Sequence, residues 1–132
     1  MRAISVPYSL YRGHPSPLIP VDVRGPKGWE TVWVYVDTGA FVSIVADAEA
    51  RSLGLDLEAG QLTYSIVGDG SLIPVYIHQV PLRIGPIEWT ARIGFSPRLG
   101  VGFNLLGRQD IFTRFDVTFS DSRRLITFTP VR

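Results

Sequence analysis

The sequence predicts a mostly β domain, a small closed barrel of short strands with one or two short helices. Two observations predict it. Short apolar segments rich in Val, Ile, Tyr and Phe recur along the chain, and turns containing Gly or Pro separate them. The 132 residues, 45% hydrophobic and 19% charged, suit a single domain that buries its core without cross-links.

The first segment, residues 1–20, is predicted to be an extended N-terminal arm because His14 to Pro20 is rich in proline. This arm leads into a domain at residues 21–132. It either caps the barrel or blocks a groove on it.

A hairpin is predicted next, with strands Val21 to Arg24 and Glu30 to Val36 around the turn Gly25 to Gly28. The second strand is apolar on both faces, so we expect it to be central and buried. A short helix around Ala46 to Arg51 should end at Gly54, because glycine readily adopts the left-handed conformation that terminates a helix.

The remaining elements are further hairpins and one short helix. Gly68-Asp69-Gly70 and Gly85-Pro86 are typical hairpin turns. A short apolar strand ending at Leu106 should be followed by Gly107 and a brief helix. The predicted strand pairs are Gln61 to Val67 with Ser71 to Val80, Pro81 to Ile84 with Ile87 to Phe95, and Phe115 to Phe119 with Leu125 to Phe128.

Composition argues against several classes of function. The absence of cysteine excludes disulfides, thiolate metal sites and cysteine nucleophiles. His14 and His78 lack partners at metal-ligand spacing, so no metal or cofactor is expected. A net charge of +1 without a basic run argues against nucleic acid as a partner. No apolar stretch resembles a signal peptide or approaches the roughly 20 residues that span a bilayer, so no membrane partner and a cytoplasmic location are predicted.

One acidic residue has an unusual setting. Asp37 directly follows the apolar strand Thr31 to Val36, and Gly39 permits a tight turn. Backbone N–H groups around Gly39 and Ala40 can donate hydrogen bonds to a carboxylate there, and Thr38 adds a hydroxyl. We therefore expect an acid that is held rigidly at the end of a buried strand.

Three features in order resemble the retropepsin-like aspartic peptidases over about Val21 to Phe128. They are Asp37-Thr38-Gly39-Ala40, the glycine-tipped hairpin at Gly68-Asp69-Gly70, and Leu105-Leu106-Gly107 followed by Arg108. The resemblance implies an acid-protease barrel that acts as a homodimer, because each copy supplies only one catalytic acid, Asp37.

The resemblance also implies a role for each matching residue. Asp37 is the catalytic acid and base, Thr38 braces the two loops across the dimer axis, and Gly39 binds substrate backbone within a loop completed by Ala40. Gly68, Asp69 and Gly70 form the tip of a flap over a peptide or protein substrate. Leu105, Leu106, Gly107 and Arg108 are structural. Four strand residues are candidates for substrate pockets, or else for ordinary core: Ile66, Val67, Leu72 and Ile73.

The chain departs from the retroviral pattern at Phe41. Retroviral members usually carry an acid there, which pairs with the arginine after the second glycine. Arg108 therefore needs another partner, for which Asp47 and Asp110 are candidates, or it faces solvent. Retroviral members also interleave their termini, and Leu125 to Phe128 could supply such a strand.

Two other functions remain open from the sequence. One is a catalytically silent module of the same fold that dimerises and binds peptides. The other is a structural β domain in which Asp37 is only a turn residue. The leading hypothesis is an aspartic endopeptidase that hydrolyses peptide bonds through a water activated by two Asp37 carboxylates.

Overall fold

The structure, a computed structural model, describes residues 2–99 and 101–132. Met1 of the predicted arm and Gly100 of the predicted domain lie outside the described residues. Within the described part, strands dominate and are joined by one α-helix, α1 (Asp47–Leu53), and one 3₁₀ turn (Leu57–Ala59). The strands are Ile4–Pro7 (β1), Ser9–Tyr11 (β2), His14–Ser16 (β3), Leu18–Gly25 (β4), Gly28–Val36 (β5), Ile44–Ala46 (β6), Gln61–Ile66 (β7), Leu72–Ile84 (β8), Ile87–Ser96 (β9), Asn104–Leu106 (β10), Phe115–Ser120 (β11) and Leu125–Pro130 (β12).

Six strands form a closed ring of hydrogen-bonded neighbours in the order β4-β5-β10-β6-β9-β8, and β8 pairs back to β4. In this ring β10 runs parallel to β5 and β6 runs parallel to β9, whereas the other pairs are antiparallel. β7 extends the sheet beyond β8 as an edge strand. The predicted fold class, strands in a closed arrangement with short helical segments, is confirmed.

The predicted strands Ser71 to Val80 and Pro81 to Ile84 are one long strand, β8. Along β8, the pairing with β7 extends only as far as Ile77, and the pairing with β4 involves Leu82 and Arg83. A proline is tolerated at position 81 because that edge of β8 lacks a strand partner there.

The core fills the ring through alternating side chains. Ile19, Val21 and Val23 of β4 and the valines of β5 are almost completely buried. Trp33 on β5, however, is 49% exposed. β5 is central in the sheet as predicted, but the expectation that both of its faces are buried is wrong.

The predicted helix ends where expected. Gly54 adopts a left-handed conformation with φ 81°, and its backbone N–H donates to the carbonyls of Ala50 and Arg51. The short helix predicted after Gly107 is a series of turns instead. Asp110 has φ 63°, a left-handed conformation that interrupts a right-handed helix.

The N-terminal segment is incorporated into the sheets. β1 pairs with β12, β2 and β3 form a small hairpin, and β4 begins at Leu18, so the boundary drawn between residues 20 and 21 falls inside a strand. In the order β1-β12-β11, both edges of β12 are occupied within the same chain. Leu125 to Phe128 therefore does not offer a free edge to a second copy, contrary to expectation.

Asp110 stabilises the turns after β10 through an ion pair to β9. Its carboxylate accepts bonds from Arg92 Nε at 2.9 Å, Nη2 at 3.0 Å and the backbone N–H at 2.9 Å. The hydrogen bonds from the Arg92 side chain lower the pKa of the Asp110 carboxyl most strongly. A lowered folded-state pKa means that this stabilisation is present above the unfolded value, about 3.9, and is lost as the pH falls through the folded value.

We predict that Asp110→Asn lowers the free energy of unfolding by about 1 kcal/mol near neutral pH, a small value because the pair is partly exposed. Urea unfolding of both proteins should show this difference shrinking progressively below a pH of about 3.9. Asp116→Asn, an exposed position on β11, is the matched control and should change little. An Asp110→Asn deficit that persists undiminished in acid would contradict the ion-pair explanation.

Candidate active site

Asp37 lies directly after β5, in a loop that its own backbone stabilises. Its N–H donates to the Leu106 carbonyl at 3.0 Å, and the Ala40 N–H donates to its carbonyl at 3.3 Å. The Gly39 N–H donates to Asp37 Oδ1 at 2.8 Å. We call residues 37–40 the Asp37 loop. Its hydrogen bonds hold one carboxylate oxygen, and among the described residues no donor engages the other.

β10 supports this loop from the side. Leu105 and Leu106 pair in parallel register with Tyr35 and Val36, which brings the end of β10 beside the end of β5. After Gly107, the Arg108 N–H donates to the Ala40 carbonyl at 2.9 Å. The Asp37 loop and the segment Leu105 to Arg108 thus form one hydrogen-bonded unit.

The contact at Gly107 is too close for any side chain. A Cβ atom there would stand 2.8 Å from the Ala40 carbonyl oxygen and 2.8 Å from two backbone atoms of Val42. The Gly107 N–H donates to the hydroxyl of Ser43 at 2.9 Å, and Ser43 is completely buried. Ser43 therefore holds Gly107 in place beside the Asp37 loop. The sequence does not predict this role, although a serine between the apolar residues Val42 and Ile44 is a candidate for a buried hydroxyl that needs a partner.

The turn between β7 and β8, residues 67–71, faces the Asp37 loop. The Gly70 N–H donates to the Val67 carbonyl at 2.8 Å, and Gly70 has φ 84°, which favours glycine. The Asp69 carboxylate accepts bonds from the Ser71 hydroxyl at 2.6 Å and its N–H at 2.9 Å, and these bonds lower the pKa of the Asp69 carboxyl. The turn is therefore internally bonded while Gly68 and Asp69 remain exposed.

A cleft of about 360 Å³ separates the Asp37 loop from this turn. Eight of the predicted site residues line it: Asp37, Gly39, Ala40, Ile66, Val67, Gly68, Ile73 and Leu105. Seven do not: Thr38, Asp69, Gly70, Leu72, Leu106, Gly107 and Arg108. The structure thus places the Asp37 loop and one side of the hairpin around the same space.

The four candidate pocket residues have different surroundings. Ile73 is buried with Ile44 and Val75, which agrees with the alternative of ordinary core. Ile66 is 73% exposed and Leu72 is 58% exposed, so core packing does not explain either of them. Val67 is partly buried against the Ile73 group.

Further cleft residues were not predicted. They are mostly apolar and come from the segment after the Asp37 loop, from β7 and from the segment before β10: Phe41, Val42, Ile44, Ser65, Leu99, Val101 and Phe103. The alternation of apolar residues with Gly100 and Gly102 was the available sequence signal, but it does not say which surface the side chains meet. The cleft is therefore lined mostly by apolar side chains, with the Asp37 carboxylate among them.

The N-terminal hairpin of β2 and β3 packs beside the cleft. The Tyr11 ring packs edge-on against Phe103, with centroids 5.0 Å apart, and against Tyr35 at 6.4 Å. The predicted arm therefore supports the wall of the cleft at Phe103, and Tyr11 does not itself line the cleft.

Arg108 has neither of the two carboxylate partners considered for it. Asp47 pairs with Arg51 at 2.9 Å, and Asp110 pairs with Arg92. The guanidinium of Arg108 instead lies over the ring of Phe41, 5.7 Å from its centroid.

Among residues 2–99 and 101–132, His, Asp and Glu side chains form no group of three or more that could hold a metal ion. The helix in the described chain is too short and too polar to cross a membrane.

Comparison with known proteins adds a family and a fold. The sequence profile of a family described as aspartyl protease matches residues 19–108, well over half of the chain. The comparison with curated proteins finds no match.

Several solved structures resemble this one. A retropepsin-like aspartic protease from Rickettsia conorii superposes with a TM-score of 0.64 at 20% identity, covering 96% of this chain and 91% of that one. EIAV protease, complexed with the inhibitor HBY-793, gives 0.56 at 20% identity and covers 80% of this chain and 92% of that one. The retroviral protease-like domain of Ddi1 from Leishmania major gives 0.58 at 12% identity, with coverages of 87% and 94%. At these identities the likeness concerns the fold.

Proposed function

The chain belongs to the aspartyl protease family and has the retropepsin-like fold, and from this premise we propose that two copies together form an endopeptidase. Each copy contributes Asp37 to a shared site. The substrate is a peptide or protein segment that lies in the apolar cleft.

The composition of the cleft carries this proposal. Among the described residues that line it, Asp37 is the one carboxylate. Hydrolysis of a peptide bond by acid–base catalysis needs one group to accept a proton and another to donate one. A second Asp37 from a partner copy would supply the missing group, because like charges at close range favour sharing a single proton.

The reaction then follows from the two protonation states. The ionised carboxylate takes a proton from a bound water as the water oxygen attacks the peptide carbonyl carbon. The protonated carboxyl donates its proton to the carbonyl oxygen, which gives a tetrahedral diol. The carboxyl that took the water proton then gives it to the nitrogen, and the C–N bond breaks as the other carboxylate takes a proton from one hydroxyl of the diol. The products are a carboxylic acid and an amine, and no covalent bond to the enzyme forms.

The surroundings of Asp37 suit these steps. The bond from Gly39 holds the carboxylate in place, while its second oxygen stays available to water or substrate. Thr38 is exposed beside it and would meet the partner's loop across the axis. Gly39 would bind the substrate backbone.

The β7–β8 turn would act as a flap. Gly68 and Asp69 are exposed at its tip, and Ile66 and Val67 line the cleft below. Closure over an extended peptide would exclude water from the reaction and bring Ile66 and Leu72 against substrate side chains.

Mixing subunits tests whether two Asp37 residues act together. We expect that an equimolar mixture of wild-type and Asp37→Asn chains, after exchange, contains about a quarter wild-type dimers if pairing is random. Mixed dimers lack one carboxylate and should be inactive. The rate of peptide cleavage in the mixture should therefore be about half of the rate of a sample that contains the same amount of wild-type chains and no mutant. Cleavage can be followed with a quenched fluorescent peptide.

Asp116→Asn is the matched control, since the exposed Asp116 lies on β11 and does not line the cleft. Mixing wild-type with Asp116→Asn chains should leave the activity per chain unchanged. Activity that stays proportional to the wild-type chains in the Asp37→Asn mixture would contradict the shared site.

A further inference from the structure

A second pocket of about 350 Å³ adjoins the cleft and shares Phe41 with it. On its other sides it is lined by Arg92, Arg108, Asp110 and Phe112, among others. We call it the side pocket. Phe41 borders both spaces and is 56% exposed, so the side pocket lies next to the cleft at this residue.

The charges around the side pocket do not balance. The Asp110 carboxylate is already paired with Arg92, which donates hydrogen bonds to it at 2.9 and 3.0 Å. Arg114 is close enough to lower the pKa of the Asp110 carboxyl as well. Among the described residues, no carboxylate forms an ion pair with Arg108. The pocket therefore has an excess of positive charge, centred on an arginine held over Phe41.

An arginine whose guanidinium lies over an aromatic ring can still present N–H groups to a ligand. Those groups bind a carboxylate well, because the two planar groups can share two parallel hydrogen bonds. The ring also gives an apolar surface for the methylene groups of a bound side chain.

We propose that the side pocket is a specificity subsite for an acidic side chain of the substrate, with Arg108 binding the carboxylate and Phe41 contacting the methylene groups. This inference rests on the proposed peptidase function and adds a substrate preference to it.

The test is a peptide series in which Glu, Gln or Lys is placed in turn at each position around a cleavable bond. At one position on the side of Phe41, we expect Glu to raise kcat/KM about fivefold over Gln, and high salt to reduce this advantage. Arg108→Gln should remove the preference while cleavage of the Gln peptides continues. Arg108→Glu should favour Lys at that position. Arg123→Gln, an exposed position in the turn after β11, is the control and should keep the wild-type preference.

Binding of the same peptides to the Asp37→Asn protein gives a readout that needs no turnover. Fluorescence anisotropy should show tighter binding of the Glu peptide than of the Gln peptide, and Arg108→Gln should abolish the difference. If wild type cuts nothing but this binding difference is found, the subsite stands and the peptidase proposal fails. Equal binding of Glu and Gln peptides, or an Arg108→Gln change that weakens all peptides alike, would overturn the subsite.

Discussion

The Asp37→Asn protein is expected to cut no peptide detectably, a loss of about a thousandfold or more against wild type. Asparagine cannot take a proton from water or pass one to the carbonyl oxygen. Its side-chain oxygen can still accept the Gly39 N–H, which now lies 2.8 Å from Asp37 Oδ1, so the loop should persist. The measurement is cleavage of a diverse peptide library, read by mass spectrometry from acidic to neutral pH.

Asp116→Asn, on the exposed side of β11, should cut like wild type and shows that the loss is specific to position 37. Asp37→Asn should also melt within a few degrees of wild type, which separates lost chemistry from lost structure. Cutting that survives the substitution would assign the activity to another residue or to a contaminant. Peptide binding without cutting in wild type would favour the silent binding module, and neither binding nor cutting would favour the structural domain.

The parts of the fold and of the site that the sequence predicted depend on the conformational preferences of neighbouring residues. Glycine at the helix end (Gly54) and at the β7–β8 turn (Gly70) adopts the left-handed conformation that the turn requires, so each element is bounded by its own residues. The two bonds inside the Asp37 loop are equally local, since they link residues two or three positions apart, whereas its bonds to Leu106 and Arg108 come from a distant segment. Such features can be predicted from one sequence.

The parts that were missed depend on contacts between distant segments. Leu99, Val101 and Phe103 form a wall of the cleft only because β10 lies beside β5. One of the two partners of β12 is β1, more than a hundred residues away, and no local pattern marks that pairing. The sequence marks Phe41 and Arg108 as departures from the retroviral pattern, but the contact between the ring and the guanidinium depends on backbone bonds that join their two loops.

Gly107→Ala is expected to lower the free energy of unfolding by about 2–3 kcal/mol, and the melting temperature by roughly 10 °C. The new methyl group would stand 2.8 Å from backbone atoms of Ala40 and Val42, which cannot rotate away as a side-chain end could. This steric clash can be relieved only if the end of β10 moves away from the Asp37 loop. That movement would stretch the bond from Gly107 N–H to the buried Ser43 hydroxyl and the bond from Arg108 N–H to the Ala40 carbonyl. Thermal and urea unfolding measure the loss.

Gly68→Ala is the matched control, because a Cβ there meets nothing within 4 Å and its backbone has no positive φ. It should melt close to wild type, which separates the crowding at position 107 from the general effect of replacing glycine. Since the crowded atoms belong to the segment that carries Asp37, the Gly107→Ala protein should also lose cleavage at temperatures where it remains folded. A Gly107→Ala protein that melts and cuts like wild type would mean that the two loops are not held together at this contact, and that Asp37 is positioned by its own turn alone.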